Sequence, residues 1–68
     1  MDVLERFGKK VRETRLSRDL SQEGLAEPSG LHRTYISLVE RGKRNISLRN
    51  VDALARALGV SIHELLMF

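Results

Sequence analysis

At 68 residues the chain is expected to form a single domain spanning 1–68, and a domain of this size buries only about 60% of the surface that its unfolded chain exposes. It has no cysteine, which excludes disulfides and Cys-based structural zinc and leaves self-association as the common remaining reinforcement. The net charge of +3 is too small to name a partner, and no apolar run approaches the roughly 20 residues that span a bilayer, so the expectation is a soluble, cytoplasmic protein.

The first helix opens at Asp2, whose side chain can accept from the unpaired N–H groups of a first turn. Val3, Phe7 and Val11, with Leu4 beside them, recur at i, i+4 and i+8, the spacing of one buried stripe. Arg6, Lys9, Lys10, Arg12 and Glu13 make the outer face. Asp19 favours turn geometry over a helix interior, so the helix should stop near Ser17 or Arg18, and Leu20 returns the chain to the core. Ser21 then caps a second helix that turns Leu25 and Ala26 inward. Pro28 has no N–H for the Gly24 carbonyl, and its ring crowds that oxygen. The second helix is therefore expected to end at Glu27 or Pro28, with Ser29 and Gly30 forming the turn. Gly30 accepts positive φ without steric cost, and Leu31 plugs the turn into the core.

A third helix follows from about Arg33 to Arg41, closed by Gly42. Ile36, Val39 and Glu40 share one face; Arg33, Thr34, Ser37, Leu38 and Arg41 lie on the opposite one. An arginine at a helix start sits badly with the positive end of the helix dipole, which points to a role outside the fold. Lys43, Arg44 and Asn45 make a basic connection. From His32 to Arg49 the formal charge is +4, while the rest of the chain sums to −1; a local positive patch is the footprint of phosphate contact. Ser47 caps a fourth helix with Leu48, Val51, Leu54, Ala55 and Leu58 inward and Gly59 at its end. Ser61 and Glu64 have capping-box spacing and open a short fifth helix, where Ile62, Leu65, Leu66, Met67 and Phe68 are nearly all apolar. Five short helices without a strand signal give an all-α fold.

No phosphate-cradling glycine loop, nucleophile with a partnered base or paired-carboxylate site stands out, so neither a catalytic residue nor a cofactor is expected. His32 and His63 have no companions at ligand spacing, which argues against a metal. So small a chain also leaves little room for a substrate cavity of a few hundred cubic ångströms.

The segments LSQEGLAE, GLHRTYISLVERGKRN and ALARALGVSIHELL resemble the Cro/repressor-type helix-turn-helix family, often called XRE, over nearly the whole chain from about Phe7 to Leu66. Within it, HRTYIS and ERGKRN are similar to the small controller proteins of restriction-modification systems. The resemblance implies a compact five-helix, lambda-repressor-like domain whose helix-turn-helix is formed by the second and third helices, the third entering the major groove. It implies base contacts for Arg33, Thr34, Ser37 and Leu38, and backbone contacts for Gln22, Tyr35, Arg41, Lys43, Arg44 and Asn45. It also implies a structural ion pair between Arg15 and Glu40. The chain departs from the family pattern at Gly24 and Pro28, at Thr14 and Asp19, and at His32, where a small hydroxylic cap is usual.

The function these readings imply is a sequence-specific transcriptional regulator that binds double-stranded DNA as a homodimer on a near-palindromic operator. Ile62, Leu66, Met67 and Phe68 are the candidate dimer interface. Alternatives are an antitoxin that represses its own operon, the DNA-binding half of a longer repressor, or a small helical adaptor that binds a partner protein and no DNA.

Overall fold

The computed structural model describes residues 1–68 as five helices and no strand: α1 Val3–Ser17, α2 Gln22–Ser29, α3 Arg33–Glu40, α4 Leu48–Leu58 and α5 Ile62–Leu65. Each start is fixed by a side chain that accepts from the first turn. Asp2 accepts from the Leu4 N–H at 3.1 Å, and its own N–H donates to the Glu5 carboxylate at 3.2 Å, a reciprocal capping box. Ser21, Ser47 and Ser61 accept from Gly24, Asn50 and Glu64. The Glu64 carboxylate returns no bond to Ser61, so only half of the box expected there forms. The usual hydroxylic cap of α3 is replaced by an imidazole: His32 Nδ1 accepts from the Thr34 N–H at 3.1 Å.

Ten apolar side chains close into one core: Phe7, Val11, Leu25, Ile36, Val39, Val51, Leu54, Ala55, Leu58 and Leu65. Leu20, Ala26 and Leu31 pack on its edge. α1 lies against α3, α4 and α5, and α2 lies against α3 and α4. Two expected core positions are outside it. Val3 is 51% exposed, because the buried stripe of α1 runs through Phe7, Gly8, Val11 and Arg15 and so rotates away from Val3. Leu48 is 71% exposed; it is the first residue after the Ser47 cap, a turn ahead of Val51, and no neighbouring helix covers it.

The end of α2 also differs from expectation. The helix continues through Pro28 to Ser29, and Gly30 caps it in the left-handed region at φ 71°. Proline removes a single intrahelical bond, to the Gly24 carbonyl, and its ring lies on the exposed side. The last turn is held instead by the Gly30 N–H, which donates to the Ala26 and Glu27 carbonyls, and by the Ser29 hydroxyl, which donates to the Ala26 carbonyl. Leu25, fully buried in the core, ties the helix down on its other side, and packing of this kind outweighs one local defect.

Candidate nucleic-acid interface

A buried polar network sets the angle of α3. Arg15 Nε donates to Glu40 Oε2 at 2.7 Å, and Arg15 Nη2 donates to Glu40 Oε1 at 3.0 Å. The Gln22 amide donates to the same Oε1 at 3.1 Å, and Arg15 Nη1 donates to the Leu20 carbonyl at 2.8 Å. Arg15 and Glu40 are 7% and 8% exposed, and a planar guanidinium meeting a carboxylate with two parallel bonds is the strongest form of such a pair. The Arg15 guanidinium is held above the ordinary arginine value, chiefly by its hydrogen bond to Glu40, with burial opposing and the Glu40 charge adding. Through this network α1, the start of α2 and the end of α3 share one anchor. Gln22, a candidate DNA contact, thus spends one amide N–H inside the protein.

With Ile36, Val39 and Glu40 turned inward, the opposite face of α3 is left to solvent. Arg33, Thr34 and Arg41 are exposed; Ser37 and Leu38 are half-buried along the flank of that face. Arg33 Nη1 donates to Glu23 Oε1 at 2.9 Å across the two helices. A guanidinium has five N–H donors, so four remain free. The Arg41 Nε–H folds back toward the Ser37 carbonyl at 3.3 Å. Arg15, Ser21, Gln22, Glu23 and Arg33 line an open depression of about 520 Å³ beside the start of α2.

The basic connection follows at the end of α3, where Lys43, Arg44 and Asn45 are all exposed. Arg44 lies over the Tyr35 ring, its guanidinium carbon 5.2 Å from the centroid, a cation–π distance. The Tyr35 hydroxyl in turn accepts from Asn50 Nδ2 at 3.1 Å. Arg33, Thr34, Leu38 and Arg41 of α3 and the Lys43–Asn45 loop thus make one basic flank of the molecule, with the Arg15–Glu40–Gln22 network on the inner side of α3. At the far end of the chain Leu66, Met67 and Phe68 are exposed and Ile62 is half-buried. Phe68 meets Phe7 edge to face at 6.3 Å, and Arg6 lies 5.5 Å from its ring.

The helix-turn-helix family model matches residues 11–65, which takes in α2, the Gly30 turn and α3. The chain belongs to the helix-turn-helix family. Control protein C.BamHI of Bacillus amyloliquefaciens is 56% identical over 63 residues, covering 91% of this helix-turn-helix chain and 78% of that protein. The restriction-modification controller protein C.AhdI from Aeromonas hydrophila superposes with a TM-score of 0.89 at 52% identity, over 91% of this chain and 94% of that one. The controller protein C.Esp1396I, as a tetramer in complex with its natural 35 base-pair operator, matches with a TM-score of 0.88 at 33% identity, over 98% of this chain and 92% of that one.

Four residues that shape this helix-turn-helix escaped the sequence reading. Glu23 and Asn50 are ten and fifteen positions from their partners Arg33 and Tyr35, and those pairings follow from helix crossing angles that no local pattern encodes. His32 as a cap was legible in principle, since a neutral imidazole nitrogen accepts as a hydroxyl does. Gly8 carried a signal as well: a glycine inside an otherwise regular helix marks close approach of another backbone.

Proposed function

We propose that this protein is a sequence-specific DNA-binding transcription regulator of the restriction-modification controller type, with α3 lying in the major groove. The observation that carries this reading is the division of α3: Ile36, Val39 and the paired Glu40 are buried, while Arg33 and Thr34 stand free on the other side. A helix of this diameter fits the major groove of B-DNA. Arg33, with four unused donors, has the fork that recognises guanine O6 and N7; Thr34 and Ser37 offer hydroxyls, and Leu38 offers methyl groups to thymine. Tyr35, Arg41, Lys43, Arg44 and Asn45, with the free half of the Gln22 amide, are the backbone contacts that fix register. Similarity to C.Esp1396I, solved on its own operator, supports the same partner here.

The protein acts as a homodimer. The fold extends 28 Å along its longest principal axis and carries one α3, whereas successive major grooves on one face of DNA are about 34 Å apart. Two copies related by a two-fold axis meet that spacing and read a near-palindromic site. Ile62, Leu66, Met67 and Phe68 are the apolar surface for that contact. The single core supports residues 1–68 acting as one domain. No catalytic step and no cofactor enter this function, no helix is long and apolar enough to cross a membrane, and the site of action is the cytoplasm, where the DNA lies.

Titration of labelled duplexes at several salt concentrations tests the proposal. Binding should prefer one selected sequence over a scrambled one and weaken steeply between about 50 and 200 mM salt, as counterions released by phosphate contacts require. A protein that binds neither duplex at low salt is no regulator of this kind.

A further inference from the structure

Tyr35 links α3 to the first turn of α4. Asn50 Nδ2 donates to its hydroxyl oxygen at 3.1 Å, and both side chains are half-buried. The Asn50 main chain is held in the first turn of α4, where its backbone N–H donates to the Ser47 cap at 3.1 Å. The Arg44 guanidinium covers the same ring. A phenol oxygen has one proton to give and lone pairs to receive. When the amide donates into a lone pair, the hydroxyl proton is not spent on Asn50 and turns away from it.

We infer that Asn50 is a positioning residue for DNA binding: by donating to Tyr35 Oη it directs the phenolic O–H outward as a donor to a backbone phosphate, beside the Arg44 cation stacked on the ring. The inference rests on the DNA-binding function proposed above and assigns a role in it to α4, outside the helix-turn-helix. A hydroxyl donating to a phosphate makes a charge-assisted bond. Because it is neutral, it adds affinity without adding to the counterions released.

A double-mutant cycle tests this on the duplex that the unsubstituted protein selects from a random pool. The substitutions are Tyr35→Phe and Asn50→Asp. A carboxylate at that position can only accept, so it draws the hydroxyl proton inward; it also repels phosphate, and the Tyr35→Phe background reports that repulsion alone. Tyr35→Phe should weaken binding about tenfold or more with an unchanged salt slope, the loss of one hydrogen bond to a charged group. Asn50→Asp should cost about tenfold more affinity in the Tyr35 protein than in the Tyr35→Phe background. Equal losses in the two backgrounds overturn the inference, as does a Tyr35→Phe protein that binds as tightly as the original. Asn50→Ala, which removes the donor without adding charge, should give a smaller loss at an unchanged urea midpoint; a loss that simply follows the unfolded fraction makes Asn50 structural and also overturns it. An unsubstituted protein that binds no duplex ends the DNA-binding proposal as well, whereas binding with an additive cycle removes the role of Asn50 alone.

Discussion

Gly8 of α1 sits directly against Val39 of α3: a Cβ on Gly8 would overlap the Val39 carbonyl oxygen and stand 2.7 Å from that of Glu40. The two backbones therefore touch where α3 ends. Beside them, a Cβ on Gly42 would come within 2.8 Å of the Glu5 Cα. The exit of α3 toward the basic Lys43–Asn45 connection is thus wedged against α1.

Gly8→Ala should accordingly be destabilising, although alanine is the better helix former by about 1 kcal/mol. Relieving the overlap means moving α1 off α3, and overpacking of this kind costs about 1–3 kcal/mol, more where backbone is the obstacle. Urea unfolding measures it. A variant more stable than the parent would show that the approach is looser than the geometry requires.

The Arg15–Glu40 pair is a second constraint on α3. Arg15→Ala leaves a buried carboxylate with only the Gln22 amide, and breaking such a pair costs about 3–5 kcal/mol. Replacing both partners with Arg15→Met and Glu40→Leu should cost less than either single change, because no unpaired charge is left buried. The pH dependence has a definite sign. The Arg15 value is raised on folding, so its contribution is complete below the unfolded arginine value and is lost only as pH climbs through the still higher folded one. Between about pH 6 and 9, Arg15 should add no slope to stability, which unfolding curves across that range will check.

Pro28→Ala restores the N–H that the Gly24 carbonyl lacks. Pro28 is exposed in the last turn of α2, so the substitution disturbs no packing. Stability should rise by about 1–3 kcal/mol, the helix-interior penalty of proline less its restriction of the unfolded chain. A lower urea midpoint would mean that Pro28 fits its turn better than alanine does.

The legible parts of the fold are those decided within a turn of chain. Asp2, Ser21, Ser47 and Ser61 act on N–H groups two or three residues away, and Gly30 and Gly59 end helices by their own φ; the starts of α1, α2, α4 and α5 and the ends of α2 and α4 follow from these. Misjudged positions belong to neighbouring elements. At Pro28 the local penalty points to a helix end, and the burial of Leu25 outweighs it. Val3 and Leu48 match the apolar spacing, but they lie in first turns that the adjoining helices do not cover. In the candidate site, the outward face of α3 could be read from periodicity because Ile36 and Val39 mark its inward side as apolar. The partners that hold it, Glu23 on Arg33 and Asn50 on Tyr35, depend on how α2 and α4 cross α3.

Arg44→Ala should weaken binding to every sequence about equally and lower the salt slope by about 1, the outcome that the backbone contact proposed for Arg44 requires. Binding curves for selected and scrambled duplexes at several salt concentrations give both quantities. A loss confined to the selected duplex would move Arg44 to the base-reading set.

The central claim, that the exposed face of α3 reads bases, is tested most directly by measuring the affinity of the protein and of Arg33→Ala for every single-base variant of the selected site. Arg33→Ala should abolish preference at one position in each half-site, a difference of about 1–3 kcal/mol there, and leave the other preferences intact. An Arg33→Ala protein whose affinity falls equally on all variants, or does not change, would contradict it.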